Sequence, residues 1–347
     1  MKTLPADNTT AGKEIPGITF ARAFSAIGIL IYHFLAGSRS GIEFMHNYPN
    51  GTWGAAYVSV FLLISGAVMY YSNSEISSPG RFWYKRAKAI LPPFYIAYAF
   101  CFLENLFNTG DPFSHGQPWC LIFSILGLDG YLEGTVPTYY FIGEWFLGAI
   151  IIMYAIYPLL LWLFKKNTLI SGIVVVGLYI WMLYSPVFED GQRFRSVFSC
   201  LFCFWTGMLV MKYRSFFLGN IWITIISLLF LVAANFFAIP MNLFFVNHLY
   251  GFALFFLLYA IGERVMKSAA VSVAVRRLSA LSYPIFLVHH QIVFKVLGYQ
   301  NPTSKAGAIL MLLVTILLSI LAAVALEVLT KYVLNSKTYK KLEAKII

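Results

Sequence analysis

Charged residues are scarce in this sequence of 347 residues. Asp, Glu, Lys and Arg together make up 11% of the chain, whereas hydrophobic residues make up 60%, and the mean hydropathy is +0.75. This composition excludes an ordinary soluble domain, in which about a quarter of the residues are charged. Because the apolar residues recur in runs long enough to cross a bilayer, we predict an all-α polytopic membrane protein.

Motifs for several kinds of chemistry are absent as well. The sequence contains no P-loop, no G-x-S-x-G nucleophile elbow and no internal repeat of the kind that marks many transporters. Four cysteines occur, and the pair Cys200 and Cys203 lies in an apolar run with no other metal-ligand cluster nearby. This placement favours packing over metal or redox chemistry. We therefore expect no bound metal and no bound cofactor.

Ten apolar runs are long enough to span a bilayer. No cleavable signal peptide is recognised, since residues 1–16 are polar and no A-x-A site follows. We expect a tail over 1–16, one membrane domain over 17–331 and a basic tail over 332–347. The predicted spans are 17–36, 54–73, 88–107, 141–164, 168–186, 194–212, 219–238, 244–262, 279–298 and 305–331.

The basic residues predict which loops lie in the cytoplasm. With ten spans and both termini inside, nineteen of the 25 lysines and arginines fall in cytoplasmic segments and five in outer loops. A further crossing at residues 119–128 would invert every later loop, and the apolar patch there is too short to span. The net charge of +11 is therefore a topology signal, and we expect no nucleic-acid partner. The predicted location is the plasma membrane.

The first span carries two ionisable residues, Arg22 and His33. Eleven residues are close to three helical turns, so both side chains lie on one face, roughly 16 Å apart along the axis. Ionisable groups inside a span are costly and usually functional, although both could instead fill helix–helix contacts. Arg22, near the cytoplasmic end, suits a phosphate group. His33, near the outer end, suits a general base acting on a hydroxyl.

An Arg and a His separated by ten residues on the first span resemble the signature of the acyltransferase-3 family of integral membrane acyltransferases. The resemblance covers roughly residues 17–290 and includes ten spans, as in the family. Four further segments are similar to family motifs in the same order: Val60-Phe-Leu-Leu-Ile-Ser65-Gly66, Arg86-Ala-Lys88-Ala-Ile-Leu-Pro92-Pro93-Phe-Tyr95, Trp145-Phe-Leu-Gly-Ala-Ile-Ile-Ile-Met-Tyr154-Ala-Ile-Tyr-Pro158 and Leu281-Ser-Tyr283-Pro-Ile-Phe-Leu-Val-His289.

This resemblance implies transfer of an acyl group, commonly acetyl from acetyl-CoA, to a hydroxyl of an extracytoplasmic glycan or lipid-linked saccharide. It implies His33 as the catalytic residue and Arg22 as a donor-side residue. Many members carry a Glu at the position of Ile150 in this sequence. Glu144, directly before the Trp of the fourth-span motif, is our substitute partner for His33, although it lies about 120° away around the helix.

Several other residues are candidate contacts of the substrates. Arg86 and Lys88 could pair with the phosphates of CoA, but a positive-inside cluster needs no such role. His289 could shuttle protons or hydrogen-bond across helices. Glu43 in the first outer loop could help to bind the acceptor, although a solvated loop residue is the better interpretation. Trp145 at the start of the fourth span is a further candidate substrate contact.

Two other functions remain open on the residues alone. A transporter or flippase of a lipid-linked sugar would also need buried Arg and His residues, although no inverted repeat is found. A scaffold or signalling protein would leave Arg22 and His33 without a role. The oligomeric state is not indicated by the sequence.

Overall fold

The protein is almost entirely helical in a computed structural model, which describes residues 14–44, 46–114, 116–139, 142 and 145–346. This architecture confirms the predicted all-α polytopic fold. A short antiparallel hairpin of β1 (Asn47–Tyr48) and β2 (Gly51–Thr52) follows the first helix. The α-helices are α1 (Pro16–Gly37), α2 (Trp53–Ser72), α3 (Pro79–Thr109), α4 (Leu121–Leu126), α5 (Asp129–Leu132), α6 (Trp145–Lys166), α7 (Thr168–Tyr184), α8 (Asp190–Arg193), α9 (Val197–Lys212), α10 (Arg214–Phe217), α11 (Ile221–Phe236), α12 (Leu243–Val265), α13 (Ala269–Tyr299), α14 (Lys305–Asn335) and α15 (Lys337–Ile346).

Some helices extend beyond the apolar runs that predicted them. Helix α3 begins at Pro79 instead of residue 88, and α13 begins at Ala269 instead of residue 279. The added turns carry the basic residues predicted to lie in the cytoplasm. Hydropathy marks the part of a helix that fits in lipid, whereas backbone hydrogen bonding continues into water. For the same reason α14 runs to Asn335, past the predicted boundary at 331, and the basic tail forms α15.

Eight helical segments in the described residues are long and apolar enough to cross a membrane. The fifth and seventh predicted spans are shorter helices, α7 with 17 residues and α11 with 16 residues. Contacts at their ends support a crossing by both. At one end of α7, Lys212 donates to Thr168, and at the other end Arg193 donates to the carbonyl oxygen of Met182, at 2.7 Å. Asn50 of the outer hairpin donates to carbonyls at the end of α11.

Contacts between distant segments agree with the predicted alternation of loops. The backbone N–H of Gly17, at the cytoplasmic start of α1, donates to Glu263 at the end of α12, at 2.8 Å. At the opposite end, Lys295 donates to Glu104 at 2.6 Å. In each pair, both residues were predicted on the same side of the membrane. The helices therefore share two common ends, as ten alternating spans require.

The apolar patch at 119–128 does not cross the bundle, as predicted. It forms a 3-10 turn, Pro118–Cys120, followed by α4, which has six residues. Trp119 and Ile125 are 60% and 62% exposed. A segment this short with an exposed apolar surface fits the membrane interface better than the membrane interior.

Helices α2 and α9 approach each other closely through two glycines. A Cβ placed on Gly66 would overlap the backbone carbonyl oxygen of Phe204, and a Cβ on Gly207 would overlap that of Leu63. Backbone atoms cannot swing away as a flexible side chain would. Small residues at a helix contact let backbones pack tightly where lipid supplies no hydrophobic driving force between helices. The Ser-Gly segment of the second span thus has a packing role.

We expect Gly66→Ala to destabilise the folded protein by about 1–3 kcal/mol, the usual cost of overpacking a tight contact. Gly177→Ala is the matched control, because a Cβ there meets no described atom within 4 Å, and alanine favours a helix over glycine. Thermal unfolding of the purified protein in detergent measures both effects. An unchanged midpoint for Gly66→Ala would contradict the close approach of α2 and α9.

Helix α1 is surrounded by other helices. It packs against α2, α12, α13 and α14, and Ala21, Ala26, Leu30 and Phe34 are almost completely buried. Pro16 starts the helix, where its missing N–H and fixed φ are tolerated. A central helix of this kind carries Arg22 and His33 inside the bundle, where their neighbours come from α2, α3, α6 and α13.

Candidate active site

Three histidines meet near the outer end of α1. The ring of His33 lies 4.0 Å from that of His290 and 5.4 Å from that of His289, measured between ring centroids. His289 and His290 are adjacent on α13, with ring centroids 4.7 Å apart. His289 is fully buried, whereas His33 and His290 are partly exposed. The structure thus brings His289 to His33, and it adds His290.

Backbone carbonyls fix the orientation of the His289 ring. Its Nδ1 lies 2.9 Å from the carbonyl oxygen of Phe286 and 3.1 Å from that of Ile285. Because carbonyl oxygens only accept hydrogen bonds, Nδ1 carries the proton, and Nε2 of the neutral ring carries the lone pair. His289 therefore presents a proton acceptor on the side of the ring opposite its own backbone.

The first outer loop returns to the outer end of α1. The ring of His46 stacks on Tyr32 with centroids 5.1 Å apart, and Tyr32 contacts His33 at 5.0 Å. Partial burial lowers the pKa of His46, while the nearby Glu43 carboxylate opposes that change. His46 is therefore mainly neutral at pH 7. Glu43 is itself exposed and lies in the same loop as His46.

A cavity of about 410 Å³ lies among α1, α2, α3, α6 and α13. Arg22 from α1 and Arg86 from α3 both line it, together with Tyr154 and Ser65. Tyr154 interacts electrostatically with both arginines and is hydrogen-bonded to Ser65. The structure therefore brings together two arginines predicted to contact the same ligand, one from the first span and one from the third.

Neither arginine has a carboxylate partner among the residues that the structure describes. The Nε atom of Arg86 is buried and makes no hydrogen bond within the same residues. Burying two like charges without a counter-charge is costly. Two guanidinium groups on one cavity wall thus form a site suited to an anion, and their planar donor sets suit phosphate oxygens in particular.

Aromatic rings line the apolar part of the cavity. Phe61, Phe146 and Phe286 come from α2, α6 and α13, and the ring of Phe146 lies 6.0 Å from Phe61 and 5.5 Å from Phe286. The ring of Phe286 is in turn 6.2 Å from that of His289. The cavity therefore extends from the arginines to a ring that neighbours the histidine cluster. His33 itself does not line it.

Other predicted site residues lie elsewhere. Lys88 is bonded to Glu343 of α15, which also accepts from Tyr84, so Lys88 faces away from the cavity of Arg22 and Arg86. Trp145 packs its ring against Phe194 at 5.9 Å and does not line the cavity.

The structure also bears on the carboxylate partner of His33. Glu144 lies outside the described residues. Ile150, the position at which the resemblance implies a Glu in many members, lines the cavity and is largely buried.

The sequence did not predict a role for two residues that lie in this region of the structure. His290 has no role in the sequence analysis, yet its ring contacts that of His33. Tyr154 has no role in the sequence analysis beyond its place in a motif, yet it lines the cavity and interacts with both arginines and with Ser65. The adjacent histidines could have indicated His290. His289 was already a candidate site residue, and the next side chain along a helix is rotated from it by only about 100°.

The chain was compared with known proteins. The profile of a family described as an acyltransferase domain matches residues 15–328. Acyltransferase MdmB of Streptomyces mycarofaciens is 27% identical over 161 residues, which are 44% of this chain and 41% of that protein. The match thus spans less than half of the length of that relative. No solved structure matches the chain.

Proposed function

The chain belongs to the acyltransferase-3 family of integral membrane acyltransferases, and from that premise we propose that it is an O-acetyltransferase of the plasma membrane. Acetyl-CoA on the cytoplasmic side is the proposed donor. The proposed acceptor is a hydroxyl group of an extracytoplasmic polysaccharide or lipid-linked saccharide. This function gives both Arg22 and His33 a role, one at each end of the same helix.

The observation that carries this proposal is the cavity wall with two arginines and no carboxylate partner among the described residues. CoA carries a diphosphate and a further phosphate, which match the bidentate donors of Arg22 and Arg86. Because no carboxylate of the described residues pairs with either arginine, an anionic donor would bind there without first breaking any ion pair of this part of the chain. A neutral sugar substrate would gain nothing comparable from these two charges.

The apolar part of the cavity suits the rest of the donor. The pantetheine arm of CoA is long, thin and weakly polar, and the rings of Phe61, Phe146 and Phe286 offer an apolar path from the arginines toward His289. We expect the thioester to stop at Phe286, next to the histidine cluster. Since the cavity has both charged and apolar walls, the two ends of acetyl-CoA would bind in one orientation only.

His33 is the proposed general base. Its imidazole accepts the proton of the acceptor hydroxyl, the hydroxyl oxygen bonds to the thioester carbonyl carbon, and the carbon–sulfur bond breaks. The proton then passes from His33 to the CoA thiolate. The products are an O-acetyl ester and free CoA, and His33 returns to its neutral form. Glu144 is the proposed carboxylate that orients His33, while Glu43 and Trp145 are proposed contacts of the acceptor.

Release of free CoA from acetyl-CoA by the protein in proteoliposomes tests the function. We expect release to depend on an added glycan fraction, and labelled acetyl groups to appear on that fraction. A protein that transports the glycan across the vesicle membrane without consuming thioester would contradict the proposal and favour a transporter. Binding of acetyl-CoA without release, in the presence of every glycan tried, would contradict the proposed class of acceptor.

A further inference from the structure

The histidine cluster offers more nitrogen ligands than the proposed reaction uses. One nitrogen atom from each of His33, His289 and His290 can be chosen so that all three lie within 4.8 Å of one another. General-base catalysis needs a single proton acceptor, and His33 provides it. His290 takes no part in the proposed reaction. Three converging imidazoles in a mostly apolar bundle therefore require a separate explanation.

The arrangement has the features of a transition-metal site. Zn²⁺ bonds to histidine nitrogen at about 2.0–2.1 Å, which places the nitrogens of a tetrahedral site about 3.4 Å apart. The three nitrogens lie within 4.8 Å of one another, so the pairs must approach by at most about 1.4 Å to reach that spacing. His289 also donates its Nδ1–H to backbone carbonyls, which is the usual way that a protein orients a metal-bound imidazole and leaves the other nitrogen to bind.

Access and ligand type narrow the choice of ion. His33 and His290 are partly exposed, so the cluster is accessible to solvent and to a dissolved ion. Neutral imidazoles suit Zn²⁺, Co²⁺ and Cu²⁺, whereas Mg²⁺ and Ca²⁺ prefer oxygen ligands. The sequence has no metal-binding spacing to mark this site, because its ligands come from helices far apart in the chain.

We propose that His33, His289 and His290 bind Zn²⁺, and that the bound ion blocks acyl transfer by occupying the lone pair of His33. Metal binding is a property of the three side chains alone. Inhibition rests on the proposed function, since it requires His33 to act as the base. The site would thus couple the activity of the enzyme to the metal content of the outer compartment.

Cobalt binding tests the site directly. We expect Co²⁺ added to the purified wild-type protein to produce visible ligand-field absorption that Zn²⁺ displaces. His290→Gln removes one of three ligands and should weaken Co²⁺ binding by at least about tenfold. His46→Gln is the matched control, because His46 lies beside Tyr32 at the same end of the protein but outside the cluster. The His46→Gln protein should bind Co²⁺ with the affinity of the wild type.

Zn²⁺ inhibition of CoA release tests the consequence. Half-maximal inhibition of His290→Gln should require at least about tenfold more Zn²⁺ than inhibition of the wild type. In metal-free buffer, His290→Gln should elute as the wild type does on size exclusion. Each variant is compared with its own metal-free rate, so a general loss of activity does not affect the result.

Three results would overturn the inference. They are the absence of cobalt absorption in folded wild-type protein, equal Co²⁺ affinity in His290→Gln and the wild type, and stimulation of transfer by Zn²⁺. Failure of the proposed function looks different. In that case Co²⁺ binds with the expected dependence on His290, while metal-free wild-type protein releases no CoA.

Discussion

Replacement of His33 by alanine is expected to lower the rate of acyl transfer by about 100- to 10,000-fold, the contribution that a positioned general base makes. His33 is the residue of the cluster on the same helix as Arg22, and it lies beside the outer loop that carries Glu43 and His46. The imidazoles of His289 and His290 remain, but their ring centroids are 5.4 Å and 4.0 Å from that of His33, so neither occupies the position from which His33 would take the proton of a hydroxyl acceptor. The steady-state rate of CoA release measures the loss.

The effect should fall on kcat and leave the KM for acetyl-CoA nearly unchanged. His33 does not line the cavity of Arg22 and Arg86, so its removal leaves the proposed donor site intact. His46→Ala is the matched control, because it removes a nearby imidazole outside the cluster, and transfer should stay within about threefold of the wild type. A His33→Ala protein that is folded, inserted and still active would contradict the assignment of the base.

Helical periodicity predicted the main features of the site. Arg22 and His33 were expected on one face of the first span. Both lie in the uninterrupted helix α1, where Arg22 lines the cavity and His33 contacts the histidines of α13. Such a prediction is possible because the spacing of two residues along a regular helix fixes the angle between their side chains. The same periodicity explains why Arg86 and Lys88 face different directions, because side chains two residues apart on a helix are rotated by about 200° from each other.

Contacts between distant segments could not be predicted in the same way. The pairing of Lys88 with Glu343 depends on how α15 docks against the start of α3, and no local pattern encodes that docking. The approach of His290 to His33 depends on the rotation of α13 about its own axis relative to α1. Helices α3 and α13 begin several residues before the predicted spans. Hydropathy indicates only where a helix enters lipid, and both helices extend beyond that boundary.

Removal of Arg86 is expected to raise the KM for acetyl-CoA by about 10- to 100-fold. A hydrogen bond to a charged group contributes about 1.5–3 kcal/mol, and a factor of ten corresponds to about 1.4 kcal/mol. Arg86→Ala removes one of the two guanidiniums on the cavity wall. Arg86→Lys should restore part of the loss, since lysine keeps the charge but loses the bidentate geometry.

Lys88→Ala is the control for Arg86→Ala. It removes a positive charge two residues away on the same helix, and Lys88 is bonded to Glu343 instead of facing the cavity. Its effect on the KM for acetyl-CoA should stay below about threefold, as expected for a charge outside the site. Equal effects of the two substitutions would mean that general surface charge attracts the donor, and would contradict the arginine site.

Thermal stability separates a donor-binding arginine from a structural one. The Nε atom of Arg86 is buried and makes no hydrogen bond within the described residues, and its other contacts are with the rings of Tyr154 and Phe82. Its removal should therefore destabilise the ligand-free protein by no more than about 1 kcal/mol. A ligand that binds the folded state raises its stability by mass action, and wild-type protein should therefore unfold at a higher temperature with CoA. In Arg86→Ala that increase should largely disappear, while it persists in Lys88→Ala. A lower midpoint for Arg86→Ala without ligand, together with a full response to CoA, would instead make Arg86 a structural residue.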